Sequence, residues 1–323
     1  MLQTGMNINP DARYGNPVNG DELKGLNWVR FVFKLSARPN AAERNDINKA
    51  FAQYDPIIRR YAEKGVKSLF VLNQETVGGS VPWQLTHNGA VTHPYSDDIA
   101  EWEAYAGRFA ETAAQIASHY QAIGLGGQVA YEIWNESDIQ GESSVYLKPQ
   151  HMAVILRRAV SAIRQTTPNA TIIFGGMASG DESIVSYLNQ CKQVLGGSLP
   201  VDAVGIHPYG RYVGDPPFDG YGYGQLADPL RYYRQNLPGI PLWITEIGIS
   251  AGSELGPPFY EAIATYMQNV CTFVANNHAG DVPVLIWFAW SDEMRNAGMV
   301  DRNGSPKAHI YEVFKSVRDR EIL

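Results

Sequence analysis

The sequence predicts an α/β fold, a (β/α)8 TIM barrel folded as a single domain over residues 1–323, and three observations carry that prediction. Eight short apolar runs alternate with about seven longer stretches of helical period, the pattern of βα units around a parallel sheet. Eight such units suggest closure into a barrel. The first run leads into Asn7-Ile8-Asn9-Pro10, without the G-x-G-x-x-G turn that a doubly wound open sheet would want.

Taken in order, the apolar runs occupy residues 2–7, 26–34, 66–73, 128–135, 171–175, 203–207, 242–247 and 284–290. Helical periods lie between and after them, over about 43–64, 97–120, 149–166, 181–195, 226–236, 258–276 and 308–317. The first crossover is the exception, with at most a short helix at 21–25. Gly65, Pro168, Pro200, Pro241 and Pro283 punctuate the junctions. No linker or charge block divides the chain, and no period of about 20–50 residues marks a solenoid or propeller. An α/β barrel runs to about 250 residues or more as one domain, so 323 residues do not require two.

Composition narrows the function classes. Apolar residues make up 45% and charged residues 18%, which supplies a large core and excludes general disorder. The net charge of -7, from 26 Lys+Arg against 33 Asp+Glu, argues against nucleic-acid and anionic-membrane partners. No apolar run approaches the roughly 20 residues that span a bilayer. Cys191 and Cys271 are too few for a disulfide framework or a cysteine zinc site and read as buried free thiols. Met1 is followed almost at once by a strand pattern, without a basic n-region or apolar h-region. A cytoplasmic chain, or one whose leader has been removed, is expected. The 18 Tyr and 7 Trp suit a sugar-binding cleft, where flat rings stack on pyranose faces.

In such a barrel the catalytic groups sit at the C-terminal ends of the strands. The second run carries Arg30, the third ends Asn73-Gln74-Glu75 and the fourth ends Asn135-Glu136. The sixth ends His207-Pro208-Tyr209, the seventh carries Glu246 after Thr245, and the eighth ends Trp290-Ser291. Carboxylates on strands four and seven are expected across the barrel mouth from each other.

Tyr131-Glu132-Ile133-Trp134-Asn135-Glu136, followed by Trp243-Ile244-Thr245-Glu246-Ile247-Gly248, resembles clan A of the glycoside hydrolases, retaining (β/α)8 enzymes with glutamates ending strands four and seven. The resemblance implies that Glu136 is the acid/base and Glu246 the nucleophile. It places the clan's strand-two arginine on Arg30, its strand-six histidine and tyrosine on His207 and Tyr209, and its strand-eight tryptophan on Trp290. It also gives Asn135 the sugar 2-hydroxyl. Two positions depart from the pattern. Ser137 stands where a proline commonly follows the acid, and Asn73 or Gln74 replaces the histidine often found at the end of strand three.

The chemistry explains the residue types. Retention needs two carboxyl groups about 5–5.5 Å apart, one protonated to help the leaving oxygen and one ionised to attack the anomeric carbon. For this chain a separation of about 4–6 Å between Glu136 and Glu246 is expected. Arg30 and Tyr209 would hold Glu246 ionised and aimed, and Trp290 would floor the subsite. Glu132, two strand periods before the acid and on the same strand face, reads as a buried structural carboxylate paired with a cation. Two long loops, residues 74–96 and 209–225, rise at the same face, the second with Tyr212, Phe218, Tyr221 and Tyr223. Asn73 and Tyr212 join Arg30, Asn135, His207, Tyr209 and Trp290 as candidate substrate-binding residues. His87 and His93 lack the tight spacing of a metal site, so neither a metal nor an organic cofactor is expected.

The expected activity is a retaining β-glycoside hydrolase with an oligo- or polysaccharide substrate, endo-acting because the barrel uses nearly all of the chain. Two alternatives stand beside it. One is a transglycosylase using the same carboxylates; the other is a non-catalytic carbohydrate-binding barrel, which would be expected to have lost one of them.

Overall fold

A computed structural model describes residues 1–35, 46–78, 81–82, 84–85, 91–92, 96–139, 145–178, 182–209, 224–249, 256–296 and 298–323. Its main strands are β1 (Gln3–Asn7), β2 (Trp28–Val32), β3 (Lys67–Leu72), β4 (Val129–Ile133), β5 (Thr171–Met177), β6 (Ala203–Ile206), β7 (Leu242–Gly248) and β8 (Val284–Phe288). They follow one another in chain order as a closed parallel barrel. Between and after them lie α1 (Ile47–Glu63), α2 (Ile99–Ala122), α3 (Pro149–Thr166), α4 (Glu182–Val194), α5 (Gly224–Asn236), α6 (Tyr260–Asn277) and α7 (Ile310–Arg318). The fold is the predicted (β/α)8 barrel. The first crossover carries a 3-10 turn, Asp21–Leu23, in place of a full helix. Gln84–Leu85 and Val91–Thr92 pair as a short antiparallel ribbon.

Strands form where a run is covered on both faces. β3 is buried at every position after its first, and β4 at all five. Five runs overshoot: those at 26–34, 66–73, 128–135, 203–207 and 284–290 become strands ending at Val32, Leu72, Ile133, Ile206 and Phe288. Phe33, His207, Ala289 and Trp290 are buried beyond those ends. An apolar run reports burial, and burial outlasts the extended backbone.

The chain divides into two compact units. The first joins Met1–Phe31, Ile57–Ser68 and Ile206–Leu323; the second joins Val32–Pro56 and Leu69–Gly205. In the first, β1 pairs with β8 and β2, setting Gln3 opposite Val284 and Gly5 opposite Trp28. A Cβ on Gly5 would stand 2.8 Å from the Trp28 carbonyl oxygen, so this approach of β1 to β2 requires glycine. In the second, β4 and β5 pair from Ala130 and Thr171 onward. Phe33, Tyr54, Phe70 and Tyr120 form an aromatic core there, with ring centroids 4.8–5.4 Å apart along the chain of contacts. Cys191 and Cys271 are free, buried thiols, each pushed up to about 12 by burial. Among the described residues, no helix is long and apolar enough to cross a membrane.

His151, in the first turn of α3, is buried, and its ring stacks on Trp102 of α2 at 4.2 Å. Burial, aided by the Lys148 charge and opposed by Asp97, lowers its pKa from 6.5 to about 4. The ring is therefore neutral in the fold at pH 7, and the unfolded chain binds the extra proton first on acidification. The stability it contributes is complete above about pH 6.5 and is lost as pH falls toward 4. In urea unfolding, His151→Phe should remove this part of the decline while retaining the stack. Parallel pH profiles for the two proteins would contradict the assignment.

Candidate active site

Arg30 poses the first problem of the site: a guanidinium 3% exposed in the middle of β2. A buried charge of this kind needs a charged partner and further hydrogen bonds. It donates to Oδ1 of Asn7 at 2.9 Å and to Oε1 of Glu246 at 2.5 Å. Asn7 ends β1, and its Nδ2 donates to the carbonyls of Thr245 at 3.0 Å and Trp287 at 3.4 Å. One amide thus holds the guanidinium and ties β1 to β7 and β8.

Glu246 is held from a second side. The Tyr209 hydroxyl donates to its Oε2 at 2.7 Å, so each carboxylate oxygen has its own donor. The fully buried His207 follows β6, with Nε2 3.1 Å from Thr245 Oγ1 and 3.8 Å from Glu246 Oε1. Arg30, His207, Tyr209 and Glu246 therefore form one cluster in the first unit. Two donors in fixed directions lock the carboxylate's rotamer and leave it only 13% exposed.

The second unit carries the other carboxylate on a bent segment. After β4 the chain turns through Trp134 at φ 75° and Glu136 at φ 48°, both left-handed. Such backbone costs a side-chain-bearing residue of order 1–2 kcal/mol and persists only where its surroundings over-determine it. Here the N–H of Trp134 donates to Leu72 O and that of Glu136 to Gly176 O, both at 2.7 Å. The Trp134 indole donates to Val145 O at 2.9 Å. A Cβ on Gly175 would lie 2.4 Å from the Trp134 carbonyl oxygen, so the bend rests directly on that glycine. Asn135 and Glu136 are partly exposed between buried Trp134 and Ser137. Glu132 is fully buried and accepts the Gly176 N–H at 2.7 Å, a structural part for this carboxylate.

Asn73 and Trp290, also expected at the site, make structural contacts of their own. Asn73 is buried, its Oδ1 accepting the Glu75 N–H at 2.9 Å and its own N–H donating to Thr76 Oγ1. That is an Asx turn closing the end of β3. Trp290 is 5% exposed, its ring 6.2 Å from Tyr311 and 6.0 Å from Phe314 of α7. Its backbone N–H donates to the carbonyl of Asn7 at 2.9 Å, so one side of the residue packs under α7 while its backbone adjoins the residue that holds Arg30. The partly exposed aromatic at the end of β8 is Phe288, its ring 6.3 Å from that of Tyr209. Tyr212 lies outside the described residues, as do Phe218, Tyr221 and Tyr223. Sequence reasoning passed over Asn7, Thr245 and Phe288. Asn7 had a usable signal, as a polar residue at a strand's C-terminal end.

A sequence model of one family, described as cellulase (glycosyl hydrolase family 5), matches residues 22–293. No curated protein matches the chain. Among solved structures, the chain is similar to an exo-beta-1,4-mannosidase, Op5Man5, from Opitutaceae bacterium strain TAV5. The TM-score is 0.63 at 16% identity, covering 100% of this chain and 60% of that one. It is also similar to a monomeric beta-xylosidase from Caulobacter crescentus CB15 (TM-score 0.67, 18% identity, 98% and 67% covered). A third likeness is to a GH5-4 broad specificity endoglucanase from Clostridum cellulovorans (TM-score 0.68, 16% identity, 98% and 94% covered). The chain thus spans less than two thirds of the mannosidase's length. At these identities the likenesses carry the fold.

The two aromatics of the β8 end should separate in unfolding experiments. Trp290→Ala empties a packed site and should cost about 3–5 kcal/mol. Phe288→Ala should cost clearly less, because its ring is already partly in water. Equal losses in urea titrations would show that both rings are core.

Proposed function

The chain belongs to the cellulase family, glycosyl hydrolase family 5, and is a retaining glycoside hydrolase; on that premise we propose that Glu246 is its nucleophile and Glu136 its acid/base, in endo-acting cleavage of a β-linked polysaccharide. The observation that carries the assignment is the Glu246 cluster. A carboxylate with Arg30 on one oxygen and Tyr209 on the other accepts from both donors in its ionised form, which is the form that attacks. Glu136 sits on the bent, partly exposed segment with Asn135, and this supports its reading as the group that meets the departing oxygen.

In the first step Glu246 attacks the anomeric carbon while the carboxylic acid of Glu136 gives its proton to the glycosidic oxygen. The C–O bond to the leaving sugar breaks and a glycosyl ester on Glu246 forms. In the second step the Glu136 carboxylate takes a proton from water, the water oxygen attacks the same carbon, and Glu246 leaves as carboxylate. Two inversions give net retention. Asn135 holds the 2-hydroxyl, and Phe288, in place of Trp290, offers the ring on which the reacting sugar stacks. The cellulase description of the family and the near-complete coverage of the endoglucanase support a β-glucan and endo cleavage.

Chemical rescue distinguishes the two roles. On the natural polymer Glu136→Ala should lose about 10²–10⁴-fold in rate, the usual share of general acid–base catalysis, and much less on a dinitrophenyl glycoside whose leaving group needs no proton. Azide should then speed turnover and give a glycosyl azide of unchanged configuration. With Glu246→Ala, azide should attack from the vacated face and give the inverted product. Exchanged stereochemistry would reverse the assignment, and full activity of both variants would end it.

A further inference from the structure

We propose that the N-terminal end of the strands carries a second binding site, for a small polyanion bearing phosphate or carboxylate groups. A cavity of about 350 Å³ opens there, entirely within the first unit. It is lined by Gln3 at the start of β1, Asn27 just before β2, Gly65 and Lys67 at the start of β3, and Arg320 beyond α7. Glu246 lies toward the other end of its strand and His207 just beyond the other end of its own, so this is not the site proposed for glycoside cleavage.

The lining is rich in donors. Trp28 Nε1, which can only donate, meets Gln3 Oε1 at 2.7 Å. The Thr4 N–H and Arg320, also obligate donors, meet Asn27 Oδ1 at 3.1 and 3.0 Å. Both amide oxygens are therefore engaged by the protein, and these partners settle which end of each amide is which. What remains available on Gln3 and Asn27 is the NH2 end. Lys67 holds its ammonium over the Trp28 ring at 5.4 Å, and neither it nor Arg320 has a carboxylate partner among the described residues. A further Arg320 N–H meets only the Met1 thioether, a weak acceptor that an anion would displace.

Two cations, two amide NH2 groups and no lining carboxylate make a surround for a ligand that only accepts. This stands against a chain whose net charge is -7. A volume of about 350 Å³ lies within the range of small-molecule sites. A bound anion bridging Lys67 and Arg320 would fasten the chain after α7 to the strand starts and raise thermal stability by mass action.

Calorimetric titration of the whole protein with pyrophosphate and with citrate, at ionic strength matched by chloride, tests the proposal and separates phosphate from carboxylate recognition. Saturable binding of at least one is expected, weakened about tenfold or more in Lys67→Met and in Arg320→Met. Gln3→Glu keeps an acceptor for the Trp28 indole but replaces the NH2 donor with a charged oxygen, and it should abolish binding without loss of fold. In the unaltered protein the Trp28 indole N–H resonance should move along the same titration curve. No heat above the chloride background, an unmoved indole resonance, or equal affinity in the folded variants would overturn the site.

Discussion

A guanidinium buried inside a β-strand has to be neutralised and hydrogen-bonded where it stands, and the Arg30 side chain meets that demand through Asn7 and Glu246. The consequences spread outward from this pair. Asn7 must end β1 level with the guanidinium, and its amide then bonds carbonyls of β7 and β8. Glu246 must face Arg30 from β7, which presents its second oxygen to Tyr209 after β6. One buried charge therefore sets the orientation of four strand ends, and the carboxylate proposed as nucleophile is held as part of the structure's own charge balance. Removing one partner would leave an unpaired buried ion, typically a loss of about 3–5 kcal/mol. Stability and the proposed reactivity thus rest on the same contacts.

The segment that bears Glu136 is placed through its backbone. Two left-handed residues, two short backbone hydrogen bonds and a glycine with no room for a methyl group set the bend after β4. Each of the two carboxylates proposed for the reaction thus stands at a position that its surroundings over-determine.

Much of this was legible in the sequence because strand ends are legible. A carboxylate or histidine closing an apolar run stands out, and Arg30, Glu136, His207, Tyr209 and Glu246 all did. Trp290 and Phe288 were harder, since both are aromatic and two residues apart. Only the backbone's departure from the strand after Phe288 decides that Trp290 turns under α7. Asn73 looked like a sugar ligand by position, yet its side chain closes a local turn, a choice set by the following Glu75 and Thr76. The donor-lined cavity had no sequence signal, because Gln3, Asn27, Lys67 and Arg320 come together only through the pairing of β1 with β2 and the return of the chain after α7.

The proposed mechanism turns on covalent attachment of the sugar to Glu246. A 2-deoxy-2-fluoro glycoside with an activated leaving group slows the second step more than the first and allows the ester to accumulate. Intact mass should then rise by one glycosyl unit, and peptide mapping should place it on the peptide containing Glu246. An adduct on Glu136, or turnover of the activated sugar with inversion and no adduct, would contradict the account.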